Sequence, residues 1–330
     1  MDSIFGKQGD NMVKISIISL IYKSKKYADF IYESVNKYTP MIRTGHAEFF
    51  FVANDATEEL IEHLVKRGYK FIINNNEKRT PEELFNSGYG EPEYMQYVYK
   101  GYNKGITSAS GDIVVLVNSD NCFSPDWLEN LLKYLGPDSI ITSHLVERNH
   151  PEHGIFPDAS YCDFGNSPKN FDETGFLKFV EQKKVTGLTK GGAYMPCAVF
   201  KKNAIKVGLY PEGNLAGKSF KDVVEFGDQN FYRKLSNIGV QHFTSLDSIV
   251  YHFKEGEKDE DVPIVENSIP LKRYYKQPNY FPLKSIKIQN LDNYEFLTVD
   301  NTPIFFKIMK NNFISLKNFF NSAIIKMKNF

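Results

Sequence analysis

Apolar and polar stretches alternate regularly between residues 13 and 146. Residues 13–21 form a near-continuous β-branched run, as expected of a strand covered on both faces. Similar buried strands are predicted over residues 48–53, 69–73, 113–117 and 139–146. Between them the spacing predicts a helix over 25–38, ending before Pro40, and one over 57–67, closed by Gly68. A third helix is predicted over 92–109, with Pro92 in its first turn and Gly111 just past its end. A fourth runs from Pro125 to about Leu135, capped by Ser124. This alternation predicts an α/β fold, with a mostly parallel central sheet and helices on both faces. Ligands in such sheets bind at the carboxyl ends of strands. Asn54-Asp55 and the segment 118–121 (Asn-Ser-Asp-Asn) both stand at such ends.

The regular beat stops after residue 146. Residues 147–190 are rich in Pro, Gly, Asn and His and read as a long, irregular, lid-like segment. A strand is expected over 193–200, a helix over 223–238 containing Glu225, Asp228 and Arg233, and a strand or hairpin over 240–253. The length of 330 residues suits one large domain with an appendage, or two domains. The division expected is an N-terminal arm (1–12), a main domain (13–265) and a C-terminal extension (266–330). Within the main domain a division is expected between 13–121 and 122–265. Met12 is an alternative start, one residue before the first strand.

Charge narrows the classes. Lys+Arg and Asp+Glu are both 40, so the formal net charge is zero and there is no global footprint for nucleic acid. The three cysteines, Cys122, Cys162 and Cys197, have no Cys-x-x-Cys spacing and point to a reducing compartment. The first eleven residues lack the apolar run of a signal peptide, and no stretch approaches the ~20 apolar residues of a membrane span. A cytoplasmic protein is expected. The tail 303–330 carries five lysines and no acid, with Phe305, Met309, Phe313, Leu316, Phe320, Ile324 and Met327 at helical spacing. Such a basic amphipathic helix suits either peripheral contact with an anionic membrane or packing on the domain or a second copy; packing is the favoured reading.

The chemistry begins with an absence. The turn after the first strand is Tyr22-Lys23-Ser24-Lys25, and neither Gly-x-Gly-x-x-Gly nor a phosphate-binding Gly-x-x-x-x-Gly-Lys-Ser/Thr occurs. Asn118-Ser119-Asp120-Asn121 offers another way to hold a nucleotide. Oxygen ligands at a strand end suit Mg²⁺ or Mn²⁺, which would bridge a diphosphate and neutralise charge on the leaving nucleotide. Asn, Ser and Asp also make ordinary strand-to-helix turns, so these four residues alone decide little.

Their company decides more. Val52-Ala53-Asn54-Asp55-Ala56-Thr57, Asn103-Lys104-Gly105-Ile106, Ala109-Ser110-Gly111-Asp112 and the Asn-Ser-Asp-Asn segment occur in that order. Together they resemble the inverting glycosyltransferases of family 2, which have the GT-A fold, over roughly residues 14–253. The resemblance implies a nucleotide-sugar donor, a divalent metal and a glycan or lipid-linked acceptor. It places Asn54 and Asp55 near the nucleotide base, Asn103 and Asn118 in the donor site, and Asp120 as metal ligand. Asn118 departs from the usual Asp, and Tyr102 stands where the family often has Arg; Arg79 or Lys104 is left to contact the diphosphate.

Inverting transfer needs a base for the acceptor hydroxyl. Counting back from Gly239, the resemblance puts Asp228 at the base position, with Gly227 where the family has Glu; Glu225 is an alternative base. His252, in Tyr251-His252-Phe253, matches a His that completes the family's metal site. His242, His144 and His150 are weaker candidates. Lys190-Gly191-Gly192-Ala193 is similar to the family's Gly-containing turn, so Gly191 and Gly192 join the donor site. Trp127 reads as core. Two other classes remain: a sugar nucleotidyltransferase, which would want a Gly-rich, Arg-containing loop after the first strand, and a degenerate transferase that binds without transfer.

Overall fold

A computed structural model describes residues 14–148, 156 and 158–254. The N-terminal arm, Met12, His150 and the basic tail lie outside the described residues, as does the whole of the extension 266–330.

The first half is laid down as the sequence predicts. β1 (Ile15–Ile21) leads to α1 (Lys25–Tyr38), whose first turn is capped by Ser24 Oγ accepting from the Tyr27 amide at 3.3 Å. After the short α2 (Pro40–Arg43) come β2 (Ala47–Asn54) and α3 (Glu58–Arg67). Gly68 closes α3 at φ 67°, in the left-handed region that favours glycine. Beyond β3 (Phe71–Asn74) the chain adds elements the pattern did not announce: α4 (Pro81–Asn86), with a Thr80–Glu83 capping box, and the two-residue β4 (Tyr89–Gly90). α5 (Tyr94–Ser108) therefore starts two residues after Pro92, which stays outside it. β5 (Ile113–Val117) is wholly buried.

Here the reading needs two corrections. The chain after β5 forms β6 (Asn121–Phe123), so helix α6 is short, Trp127–Leu132. Ser124 does not cap it: its hydroxyl donates to the Ile249 carbonyl at 2.8 Å, and Asp126 is the N-cap residue. β7 (Ser139–Glu147) follows. The expected irregular segment carries β8 (Ser160–Tyr161), a 3-10 turn, α7 (Glu173–Lys183) and β9 (Leu188–Lys190). β10 (Cys197–Phe200), α8 (Lys201–Lys206) and β11 (Asn214–Ala216) come next. The helix expected over 223–238 is split into β12 (Val223–Glu225) and α9 (Gly227–Asn237), because Val223 and Glu225 pair with Ala216 and Leu215 of β11. β13 (Gln241–His252) ends the described chain.

The main sheet has the order β3-β2-β1-β5-β10-β7-β13-β6. β3, β2, β1 and β5 are parallel, β10 runs against β5, and β7 and β13 are parallel to each other. This is a mixed α/β architecture: a mostly parallel central sheet flanked by helices. One core packs against α1, α3, α6 and α7, and the other lies under α5 and α9. A small second sheet, β12-β11-β4, ties the insertion after β3 to the strand before α9. Among the described residues no helix is long and apolar enough to cross a membrane.

β13 follows β7 in step from Gln241 opposite Ser139 to Ser245 opposite Ser143, then skips to Ile249 opposite His144. The bulge between is nailed down by Asp247, which is 1% exposed. Asp247 is paired with Lys133; it accepts from Ser245 Oγ at 2.8 Å, and its carbonyl accepts from Asn130 Nδ2 at 3.0 Å. Asp247 is the buried member of the pair and Lys133 the exposed one, so losing Asp247 takes a buried partner from Ser245. Asp247→Ala is expected to lower unfolding free energy by about 1–3 kcal/mol, read by urea titration, whereas Asp138→Ala on a surface turn should change it by less than about 0.5 kcal/mol.

Candidate active site

The carboxyl ends of β5, β7 and β13 meet at one point. β13 pairs with β6 so that His252 is level with Asn121, and with β7 so that His252 is level with Glu147. This brings His252 Nε2 to 3.2 Å from Asp120 Oδ2 and His252 Nδ1 to 2.7 Å from Glu147 Oε1. The Lys254 amide donates to Asp120 Oδ2 at 3.0 Å, and the Phe253 amide to the Asp120 carbonyl at 3.1 Å. Asp120 and His252 are 3% and 5% exposed, so the pair is buried. Burial opposes charge on the ring, but the Asp120 and Glu147 carboxylates outweigh it and push the His252 pKa up to about 10.

Asp120 and His252 suit a divalent cation. Two neighbouring ligands of an octahedral ion with bonds of about 2.1 Å stand about 3.0 Å apart, close to the 3.2 Å seen here. The second ring nitrogen is engaged by a carboxylate, the usual arrangement behind a metal-ligating His. Among the described residues no group of three or more His, Cys, Asp or Glu is arranged to hold an ion. The set that fits is therefore two protein ligands, with phosphate oxygens and water supplying the rest.

Asn118 lies beside this pair. Its backbone amide donates to Asn121 Oδ1 at 2.9 Å, and its side-chain oxygen accepts from Tyr102 OH at 3.0 Å. Tyr102 also donates to the Val117 carbonyl and is 2% exposed. At the position where an Arg resembling the family's was expected, the chain thus has a buried prop for the strand end. Of the two replacements suggested for that Arg, Arg79 is bound to Ser87 Oγ at 3.2 Å and Glu212 at 3.3 Å, whereas Lys104 lies on the exposed face of α5.

The ends of β2 and β3 form a polar floor. Asn54, 8% exposed, accepts from Asn74 and Asn76 at 2.7 and 3.0 Å and donates to the Tyr97 carbonyl at 3.1 Å. Its side chain supports the floor and is not held out to a ligand, which revises its expected contact with the base. Asp55, with φ 51°, accepts from the amide and side chain of Asn76 at 2.7 and 2.8 Å and keeps a partly exposed position. Asn103 is also revised. Both ends of its amide bind the Tyr210 backbone at 2.9 Å, so it fastens α5 to the chain before β11. Gly191 and Gly192 are buried against β13: the Gly191 amide donates to the His242 carbonyl at 3.0 Å, and its carbonyl accepts from Thr244 Oγ1. At Gly192 a Cβ would run into Thr244, and φ is 120°. Close packing, more than an open backbone for a sugar, explains these glycines.

Asp228 sits in the first turn of α9, partly exposed, with its Oδ1 accepting from the Gln229 amide at 2.7 Å. Burial raises its pKa to about 6, against the lowering effect of the Gln229 and Asp228 amides and with help from the Glu225 charge. Glu225 is not available as a base. Its carboxylate is gripped by Arg233 Nε at 2.6 Å and Arg233 Nη2 at 3.0 Å, and it accepts from Asn230 Nδ2 at 2.7 Å. Gly227 has a packing reason: a Cβ there would run into the Tyr99 ring. Tyr99 OH donates to Asn214 Oδ1 at 3.1 Å, which also accepts from the Gly227 amide at 3.0 Å. The position that would hold the Glu thus has an aromatic ring in its space. Tyr99 stacks on Tyr210 (5.5 Å), and Tyr210 on Phe231 (4.1 Å) and beside Tyr102 (6.2 Å), so one aromatic layer links the Asn118 end to α9.

His242 and His144 are no part of this site. His242 is buried, pushed down by burial to a pKa of about 3, and bonds Thr142 at 3.0 Å. His144 bonds Ser160 Oγ at 2.8 Å. Trp127 is core, as read, with its Nε1 donating to Thr39 Oγ1 at 3.0 Å. Glu147 and Lys254 were missed. The signal was available: a carboxylate ending an apolar run at the same sheet edge as Asp120.

Comparison with known proteins bears on this geometry. Residues 96–208 match the family model described as glycosyl transferase family 2, a stretch that holds α5, β5, Asp120 and the glycine turn. The chain is similar to the crystal structure of GalNAc-T7 with UDP, GalNAc and Mn²⁺ (15% identity, TM-score 0.46, 74% of this chain and 44% of that one). It is also similar to S. aureus TarS 1-349 (15%, 0.44, 72% and 60%). A third is the mannosyltransferase PcManGT from Pyrobaculum calidifontis in complex with GDP-Man and Mn²⁺ (16%, 0.39, 75% and 60%). The chain thus spans about half of the solved chains it resembles. No curated protein matches it significantly.

The raised pKa of Asp228 has a stability consequence. The folded protein holds this proton more tightly than the unfolded chain, with a folded pKa of about 6 against 3.8. Its contribution to stability therefore declines as pH rises from 3.8 to about 6 and stays low above that. Asp228→Asn should melt no lower than wild type at pH 7.5, and its advantage should shrink toward pH 4, as followed by thermal melts across that range.

Proposed function

We propose that this chain, which carries a glycosyl transferase family 2 segment, moves a sugar from a nucleotide-diphosphate sugar to an acceptor hydroxyl with inversion, using Mn²⁺ or Mg²⁺. The observation that carries the reading is the buried Asp120–His252 pair at the carboxyl ends of β5, β7 and β13, joined by one aromatic layer to the helix that bears Asp228. Asp120 and His252 would hold the metal, which supplies positive charge to the leaving diphosphate. Asn118 and Asp55 would border the donor. A glycan or lipid-linked acceptor and a cytoplasmic setting complete the proposal, with the C-terminal extension as the part that would meet a membrane or a second copy.

Asp228 supplies the proton transfer. Its carboxylate takes the acceptor proton as the hydroxyl oxygen attacks the anomeric carbon on the face opposite the diphosphate. The bond from that carbon to the diphosphate oxygen breaks with its electron pair, which inverts the centre. Partial burial at a helix start keeps the carboxylate ionised near neutral pH while raising its basicity.

Two results would test the assignment. In a screen of nucleotide sugars with Mn²⁺, Asp120→Ala should lower turnover at least about 10²-fold and EDTA should abolish it; unchanged rates would sink the metal role. Asp228→Asn should lower kcat by about 10²–10⁴ without weakening donor binding. The wild-type rate should fall below pH 6, because the base works only when deprotonated. A flat profile between pH 5 and 8 would exclude Asp228 as the base.

A further inference from the structure

Behind the Asp120–His252 pair lies a second buried layer. Glu147 is completely enclosed at the last position of β7. Its Oε1 accepts from His252 Nδ1 at 2.7 Å. Its Oε2 accepts from the Phe156 amide at 2.8 Å and from Lys254 Nζ at 3.3 Å. The Phe156 ring covers both neighbours, with its centre 6.0 Å from the His252 ring and 5.2 Å from Lys254 Nζ. Lys254 is tied at a second point, since its own amide donates to Asp120 Oδ2.

We propose that Glu147, clamped by Lys254 and the Phe156 backbone, is a positioning residue for the metal centre. It holds the Nδ1 proton of His252 in place, so that Nε2, the nitrogen facing Asp120, is the one left to give up its proton to a metal. The inference rests on the reading of Asp120 and His252 as metal ligands.

The geometry leaves His252 little choice. Both Glu147 oxygens are engaged from fixed directions, so the carboxylate cannot turn away. An acceptor Nδ1 would place two acceptors 2.7 Å apart, whereas a protonated Nδ1 makes a charge-assisted bond. With the ring locked at that nitrogen and covered by Phe156, only Nε2 can ligate, and it already points at Asp120 Oδ2. Burying a carboxylate and an ammonium to close a strand end is costly compared with an apolar pair. What an apolar pair could not give is direction to the imidazole. Lys254 offsets the Glu147 charge, so that the layer behind the ion does not carry an unbalanced carboxylate.

The test is Mn²⁺ titration of the full chain, followed by electron paramagnetic resonance or calorimetry. Asp120→Ala should abolish binding at the site, and Glu147→Gln should weaken it about 10–100-fold while its melting curve stays close to wild type. If Asp120→Ala loses the ion but Glu147→Gln binds it as tightly as wild type, the positioning role is wrong and the metal reading survives. If Asp120→Ala still binds like wild type, the metal reading itself fails, and the inference with it. Should Glu147→Gln not fold, wild-type protein loaded with Mg²⁺ decides by ¹⁵N NMR of the histidines, with His252 assigned through His252→Asn. A proton on Nδ1 upholds the proposal; an Nδ1 without one overturns it.

Discussion

The register of β13 against β7 is the constraint on which the site depends. Side chains of a strand alternate faces, so a slip of an odd number of residues turns every one of them over. β13 and β7 run in step up to Ser245 and Ser143, and resume at Ile249 opposite His144. The residues looped out between, Leu246, Asp247 and Ser248, are odd in number, so the bulge decides which face His252 shows and brings it level with Glu147. The bulge is held by a buried Asp247 tied to Lys133, Ser245 and Asn130, and by the Leu246 amide donating to the Gly187 carbonyl at 3.0 Å. A network away from the Asp120–His252 pair thus sets the geometry of that pair.

A second dependence runs through aromatic packing. Tyr102 props the Asn118 end of β5, Tyr99 occupies the space a side chain at 227 would need, and Tyr210 stacks between Tyr99 and Phe231. The layer spans from β5 to the first turn of α9, so the Asn118 end of β5 and the Asp228 turn rest on one support. It also gives the two departures from the resemblance, Tyr102 and Gly227, a packing reason.

The parallel half of the fold was legible because buried strands of β-branched residues and capped helices are local signals. Ser24, Thr57 and Gly68 act as their types suggest. Asp120, Asp228 and His252 were legible as candidates because their order along the chain resembles a known family. The misreadings have particular causes. Val223–Glu225 is amphipathic enough to continue a helix, but β11 offers it hydrogen-bond partners and makes it a strand. Asn103, Asn54, Gly191 and Gly192 are residue types that serve ligands or backbone equally well. Nothing local shows that Tyr210, Tyr97 and Thr244 lie within reach of them.

By itself the sequence determined the alternation of strands and helices, the placing of acidic groups at strand ends, and the presence of one carboxylate at a helix start. These follow from periodicity and capping, which act over a few residues. Only the tertiary structure decided that His252 meets Asp120 while Glu147 and Lys254 stand behind it. It alone showed that Glu225 is locked to Arg233, and that Asp228 is sunk far enough into its surroundings for desolvation to raise its pKa. Those outcomes depend on register and burial between segments over a hundred residues apart, as with the Glu147–His252 separation of 105, and no local pattern encodes them.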